Sequence, residues 1–356
     1  MNKLNKSLMF TDIHFGRRNN SVEHNQDCLD FINWVISLIK KDKKIDHIIF
    51  LGDFFQTRSA IDISTITYAQ EACRLLNDIN IPIYVIIGNH DLYHKHTRDI
   101  HSPIMFSEFS NFIIIDEPQI RPEIGDNSFL SPYLFKHEYK ELKDLKKAKI
   151  VFGHFEFNGF YVTGYYKVSH ENGPEPGDFT GPKHIFSGHF HKRQIGGNII
   201  YIGNTFGFDY SDVDDTEKGC CTYDHTTEKY KFTNWADSPL FTRIKLSELL
   251  DKMDKKEKNI FKDRTSVTCT IDVPLTYEQH IGLKKIIKET YKLRDFNLKE
   301  LPDTAESVTD TEVDLDIDLN ADDAPVLNNL VVQMLDKIDT PNIDNEMLKK
   351  IYKGLT

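Results

Sequence analysis

The segment "IPIYVIIGNHD" runs from Ile81 to Asp91. An unbroken run of apolar and aromatic residues, Ile81 to Ile87, gives way abruptly to Gly, Asn, His and Asp. A run this short, continuous rather than alternating, reads as a strand buried on both faces. The same theme recurs five times. "KSLMF" (6–10) leads into "TDIHFG", "IDHIIFL" (45–51) into "GDFFQTR", and "AKIVF" (148–152) into "GHFE". "HIF" (184–186) leads into "SGHFHK", and "IIYI" (199–202) into "GNTFGF". Between the early runs lie amphipathic helical patterns. "DCLDFINWVISLIKK" puts Cys28, Phe31, Ile32, Val35, Leu38 and Ile39 on one stripe, and "ISTITYAQEACRLLNDI" does so with Ile66, Ala69, Cys73 and Leu76. Alternating strand and helix predicts an α/β domain, whose sites gather just beyond the carboxyl ends of the strands. That is where every polar loop falls.

The remaining composition is permissive. With 356 residues, 39% hydrophobic and 28% charged, the chain has ample material for a core. No apolar run reaches the ~18 residues of a membrane span, and the apolar stretch near the N-terminus is too short for a signal peptide. A cytoplasmic protein is expected, the host cytoplasm if a phage encodes it, with no membrane partner. The five cysteines form no C-x-x-C zinc pattern and read as reduced core thiols. Net charge is −11, but residues 301–356 carry 13 acidic against 4 basic side chains, which leaves the first 300 near neutral. Residues 236–300 hold 14 basic and 11 acidic side chains. Nucleic-acid affinity depends on local patches, so the global sum excludes little.

Further along, "GCCTYD" (219–224) and "EKYKFTN" (228–234) read as hairpin strands closing the first domain, 1–235. "WADSPL" marks a boundary. "RTSVTCTIDV" (264–273) alternates like a half-buried strand and "TYEQHIGLKKIIKETYKL" (276–293) reads as a helix, suggesting a small α/β module over 236–300. Residues 301–325 read as an acidic, solvated linker, within which "VDLDIDL" leaves a short edge strand open. Over 326–356, Leu327, Leu330, Val331 and Met334, then Leu348, Ile351 and Tyr352, space as two amphipathic helices. Such helices either dock back on the body or bind a partner.

The strand-end loops deliver Asp12, His14, Asp53, Asn89, His90, Asp91, His154, His189 and His191. Imidazole and carboxylate without thiolate suit Mn²⁺, Fe²⁺ or Zn²⁺. The candidates outnumber one tetrahedral shell, so two ions are expected, ~3.5–4 Å apart, with Asp53 as the natural bridge. In an extended chain His189 and His191 point the same way, roughly 6–7 Å apart, and face one cavity.

In this order, D-x-H, G-D, G-N-H-D, G-H and G-H-x-H resemble the calcineurin-like metallophosphoesterases. Within them the chain looks like the SbcD (meiotic recombination eleven) DNA repair nucleases, and is most similar to their compact branch encoded by T-even-like phages. The motifs cover about residues 10–205, and over 236–356 the resemblance rests on layout. It implies a four-layer sandwich of two central sheets flanked by helices, with a small α/β capping module and a C-terminal helical partner-binding segment. It implies Asp12, His14 and His191 on one ion, Asn89, His154 and His189 on the other, and Asp53 between them. Manganese is the metal implied, with magnesium, iron or zinc as alternatives. His90 would donate a proton to the leaving oxygen, Asp91 would orient His90, and a metal-activated water would attack. Arg17, Arg18, Arg58, Lys95, Arg98, Lys192 and Arg193 flank these loops and would contact phosphates of duplex or hairpin DNA. The terminal helices would grip an SbcC-type coiled-coil ATPase, in a homodimer within a heterotetramer. One departure stands out: "GDFFQTR" has Gln56 where the cellular branch commonly has His, which leaves the balance of exonuclease and endonuclease action open. The competing readings are a small-molecule or nucleotide phosphodiesterase and a non-catalytic scaffold. A protein serine/threonine phosphatase fits less well, since that branch favours G-D-x-x-D-R-G and G-N-H-E.

Overall fold

The apolar runs become strands whose alternate side chains serve two different cores. In the computed structural model, which describes residues 3–300 apart from 126, 142–144, 146, 147, 163–166 and 168–173, β1 (Lys6–Phe10), β2 (His47–Phe50), β3 (Ile83–Ile86) and β4 (Phe112–Ile115) run parallel. β11 (Gly219–Asp224) pairs antiparallel with β1 and β12 (Lys229–Asn234) with β11, giving the order β12-β11-β1-β2-β3-β4. A second six-stranded sheet contains β5 (Gln119–Arg121), β6 (Ser128–Ser131), β7 (Ile150–His154), β8 (His184–Gly188), β9 (Gln194–Gly196) and β10 (Ile199–Tyr201), in the order β5-β6-β7-β8-β10-β9.

Successive residues of a strand point to opposite faces. Leu8, Phe10, Ile48, Phe50, Ile83 and Val85 therefore pack under α1 (Val22–Lys41) and α2 (Ile63–Asn77). Met9, Ile49, Tyr84 and Ile86 pack instead against Leu130, Ile150, Phe152, Phe186 and Ile200 of the second sheet. That is why these strands lack a polar face. On the outer face of the second sheet, Val151, Ile185 and Tyr201 are covered by Phe155, Phe157, Phe160 and Phe179. Among the described residues the cover there is loops and 3₁₀ turns. α1 starts at Val22, six residues before its apolar stripe, because Ser21 caps the helix by accepting from His24 N–H.

The last described elements are β13 (Leu240–Lys245), α3 (Leu246–Asp254), β14 (Thr265–Ile271), α4 (Tyr277–Thr290) and β15 (Asp295–Glu300). The strands form a parallel sheet with β14 in the middle. A capping box of Thr276 and Gln279 opens α4. The half-buried alternation expected for 264–273 is not found: Thr265, Ser266, Val267, Thr268 and Cys269 are all buried. Val267 and Cys269 pack with Leu246, Leu249, Ile287 and Phe296. Beside them β13 leans on the preceding domain, where the Phe241 ring meets Tyr210 and its carbonyl accepts from Asp214 N–H.

An ionic clasp joins this sheet to α1. The Asp27 carboxylate, 3% exposed, accepts from Arg294 Nη1 at 2.6 Å and Nη2 at 2.8 Å, and from Arg264. Arg264 also reaches Asp30, and Arg294 reaches Glu23. Removing one partner of a buried pair leaves the other charge uncompensated. Asp27→Ala is expected to lower unfolding free energy by about 3 kcal/mol, measured by urea denaturation. A loss below about 1 kcal/mol would show the clasp to be as weak as a surface pair.

The acidic linker and the terminal residues Leu327, Leu330, Val331, Met334, Leu348, Ile351 and Tyr352 lie outside the described residues. Among the described residues no helix is long and apolar enough to cross a membrane.

Candidate metal centre

The strand-end loops of both large sheets converge on one edge of the sandwich. Asp12 N–H donates to the Gly52 carbonyl at 2.9 Å, and Phe15 N–H to the Phe54 carbonyl at 2.8 Å, which zips the first two loops together. Asp12, His14, Asp53 and His189 have φ of 50°, 49°, 61° and 86°. This left-handed conformation is uncommon outside glycine but tolerated best by Asp, Asn and His. It turns all four side chains inward at the end of a straight strand, and such strain concentrates at functional sites.

Two clusters result. In the first, Asp12 Oδ1 lies 3.8 Å from His14 Nε2 and 3.7 Å from His191 Nε2, and the two nitrogens are 3.3 Å apart. In the second, His154 Nε2 lies 3.0 Å from Asn89 Oδ1, which is 3.0 Å from His189 Nδ1. Asp53 Oδ2 stands between them, 3.8 Å from His14 Nε2 and 3.3 Å from His154 Nε2. Atoms that share an ion at ~2.0–2.2 Å sit roughly 3.0–3.5 Å apart, so both clusters have nearly the right span. Asp12, His14, Asp53 and His154 form a buried floor, while Asn89, His90, His189 and His191 stand half-exposed at the rim. His90 N–H donates to Asp53 Oδ1, and the His90 ring meets His14 edge-on with centroids 4.9 Å apart. A ring nitrogen of His90 also lies near His14 and Asp53, close enough to join a ligand group.

The electrostatics fit a cation. Asp12 Oδ2 accepts from Thr11 Oγ1 and His189 N–H, yet Asp12 Oδ1 is buried with no hydrogen-bond partner among the described residues. An unpaired buried carboxylate oxygen is costly, and here it faces two imidazoles. Burial, with repulsion from His90, holds the His14 pKa well below its usual value, and burial does the same for His191. Burial, with repulsion from His154, lowers His189 to about 3. These rings are neutral, as ligands must be. Burial would lower His154 as well, but the Asp53 carboxylate outweighs it and pushes His154 up to about 9. Burial works against the Asp53 charge, yet His154 and His90 hold Asp53 well below the usual carboxylate range. His154 Nδ1–H donates to the Leu51 carbonyl at 2.7 Å, which aims Nε2 at Asp53.

Small residues behind the ligands make this approach feasible. A Cβ on Gly88 would fall 2.1 Å from Asp53 Oδ1 and 2.4 Å from Asp53 N, and one on Gly52, whose φ is +104°, would fall 2.5 Å from His154 Nδ1. Gly88→Ala is expected to weaken metal binding about 10- to 100-fold, the range for disturbing the atoms that orient a ligand. Titration of the metal-free protein with Mn²⁺ measures this, and wild-type affinity would refute it.

Several expected roles change. The Asp91 carboxylate does not orient the His90 ring. It accepts from the N–H groups of Asp53, Phe54 and Gly88, each at 2.9 Å, and so ties two ligand loops together. Burial, then repulsion from Asp53, raises Asp91 to about 6, while the Gly88 and Phe54 amides pull it back. The group holding His90 is the Gln56 carbonyl, 2.8 Å from its Nδ1. Gln56 Oε1 in turn accepts from Arg17 Nη1 at 3.0 Å. His189 and His191 do not lie on an extended strand, because β8 ends at Gly188; Phe190 between them is buried against Tyr201.

The basic residues divide. Arg17 is buried, paired with Asp209 at 3.0 Å and stacked on Phe208. Arg98 pairs with Glu138 and bonds the Tyr133 and Asp116 carbonyls. Arg193 bonds Asn234 and lies over Phe232. These three guanidiniums are engaged by groups of the protein itself. Arg18 and Lys192 are exposed, and Arg58 and Lys95 half-exposed. Sequence reading also missed Lys218, 1% exposed, whose Nζ bonds Asp212, Asp215, Asn204 and the His191 carbonyl at 3.1 Å. A lone lysine ahead of a strand carries no local signal of such a role.

Comparison with known proteins agrees with this geometry. A model of the calcineurin-like phosphoesterases matches residues 6–193. "Exonuclease subunit 1" of Enterobacteria phage T4 is 30% identical over 246 residues, 64% of this chain and 71% of that protein. Two proteins named "DNA double-strand break repair protein Mre11" are also similar. That of Thermoplasma acidophilum is 26% identical over 56% of this chain, and that of Methanococcus maripaludis 25% over 58%. The matches span 55% and 59% of the lengths of these archaeal relatives.

Proposed function

The chain belongs to the calcineurin-like phosphoesterase family, and from that premise we propose that it is the metal-dependent nuclease subunit of a DNA repair or recombination complex. The observation that carries this reading is the single buried carboxylate oxygen, Asp53 Oδ2, set between two three-residue clusters. Asp12, His14 and His191 would hold one divalent ion and Asn89, His154 and His189 a second, manganese first among the candidates. Bound there, such ions supply Lewis acidity toward a phosphoryl oxygen and make water a better nucleophile at neutral pH. The protein supplies the rest. The buried floor excludes bulk water beneath the phosphate, and Asp91 fixes the spacing of the loops. With its Nδ1–H donated to Gln56, His90 has Nε2 as the nitrogen that passes a proton to the leaving oxygen. Arg18, Arg58 and Lys192 would contact phosphate. The name of the phage relative supports a nuclease, and the names of the archaeal relatives support DNA as substrate.

The same reading makes 1–235 the nuclease domain, 236–300 a capping module, 301–325 a linker, and 326–356 the segment that binds a coiled-coil ATPase. The subunit would pair as a homodimer within a heterotetramer in the cytoplasm. The test is Mn²⁺-dependent cleavage of linear and hairpin DNA, with and without such an ATPase. Cleavage that a chelator abolishes is the expected result. Hydrolysis of an aryl phosphodiester without any cleavage of DNA would replace this reading with a small-molecule phosphodiesterase.

A further inference from the structure

Beside the second cluster lies a cavity of about 210 Å³ lined by Tyr133, Leu134, Lys136, Tyr139 and Glu156. It adjoins the candidate metal centre through Tyr133, whose ring centroid is 5.9 Å from that of His189 and 6.3 Å from that of His154. The Tyr133 backbone is pinned on both sides. Its N–H donates to the Ile87 carbonyl at 2.8 Å, one residue before Gly88, and its carbonyl accepts from Arg98 at 3.0 Å. Leu134 is buried, and the Tyr139 ring stands edge-on to Phe179. Two aromatic rings and one leucine therefore form walls that are in place before any ligand arrives.

Glu156 is the odd member. It follows His154 by two residues, is half-buried, and accepts no hydrogen bond from any described residue. Lys136 lines the same cavity. A carboxylate at this position repels phosphate, which a phosphodiesterase must attract. Its presence makes chemical sense if the ligand brings N–H donors to it. Ionised, it accepts only, so it suits an amino or imino group and opposes a carbonyl. A flat ring that stacks on tyrosine and carries an amino group at its edge describes a nucleobase such as cytosine. Thymine would turn a carbonyl toward the same oxygen atoms.

We propose that this cavity is a base-reading subsite: it takes the unstacked nucleobase next to the scissile phosphate, with tyrosine rings at its faces and Glu156 accepting from the exocyclic amino group. This rests on the DNA nuclease reading and deepens it. An unpaired base in a hairpin loop or at a single-stranded end enters at the lowest cost, since it need not be unpaired first.

The experiment has two arms. In the first, hairpin substrates carry cytosine or thymine as the one unpaired nucleotide at the cleavage position, and kcat/KM is measured with Mn²⁺ for wild type and Glu156→Gln. Wild type should prefer cytosine by about tenfold, the lower end of discrimination by a specific base contact. Glutamine donates as well as accepts, so the variant should fall to within about twofold. In the second arm, binding of dCMP and dTMP is measured directly by calorimetry, with the same preference expected in wild type and lost in the variant. Equal treatment of the two bases by wild type, or a preference that survives Glu156→Gln, would overturn the subsite. If DNA is not cleaved at all, the nuclease reading falls, and the binding arm alone decides whether the cavity reads a base.

Discussion

Replacing Asp53 by asparagine is expected to slow phosphodiester hydrolysis by about three orders of magnitude, corresponding to a loss of about 4 kcal/mol of transition-state stabilisation. Asp53 Oδ2 lies close to both clusters, 3.8 Å from His14 Nε2 and 3.3 Å from His154 Nε2. Asparagine keeps the shape and the bond from His90 N–H to Oδ1. It removes the charge that would offset the two proposed cations, so both ions should weaken together. His189→Ala touches only the second cluster and should weaken one ion. Metal stoichiometry and kcat measured on both variants separate the cases. An Asp53→Asn protein that keeps two ions and its rate would refute a shared carboxylate.

The next largest effect is expected at His90. His90→Ala should lower kcat on DNA about 10²- to 10³-fold, within the range for removing a general acid, while both ions stay bound. The reason is its position: half-exposed at the rim, with Nδ1 committed to the Gln56 carbonyl. An aryl leaving group departs as a stable phenolate and needs no proton, so the penalty on an aryl phosphodiester should shrink to about tenfold or less. Equal penalties on both substrates would mean that His90 holds metal or substrate instead. That outcome has a structural basis, since a His90 nitrogen also lies beside His14 and Asp53.

Much of this site is legible in the chain because the signal is local. Ile81–Ile87 has no polar alternation, and its strand is buried on both faces. The loops after such strands must lie at a sheet edge, so the positions of Asp12, Asp53, Asn89, His154 and the 189–191 pair follow from short stretches read one at a time. Burial on both faces also explains why the alternation rule misled at Thr265–Cys269. Threonine and serine there read as a solvent face, but a middle strand packed on both sides buries them. The extended geometry expected for His189 and His191 likewise failed at a strand end, where His189 turns to φ 86°.

Partners remote in sequence carry no such signal. Arg17, Arg98 and Arg193 each follow a ligand loop and look like phosphate contacts. Their actual partners are Asp209, Glu138 and Asn234, which are 192, 40 and 41 residues away. Asp91 looks like a companion of its neighbour His90, but its carboxylate bonds the amides of residues 53 and 54. The sequence by itself determined the strand-and-loop frame, the inventory of ligand types and the family, because periodicity and residue chemistry act over a few residues. Only the tertiary structure decided which oxygen lies between the clusters, which cations already have partners within the protein, and that Tyr133 and Glu156 line a cavity beside His189. Those outcomes depend on distances between segments that the chain brings together only when both sheets have packed.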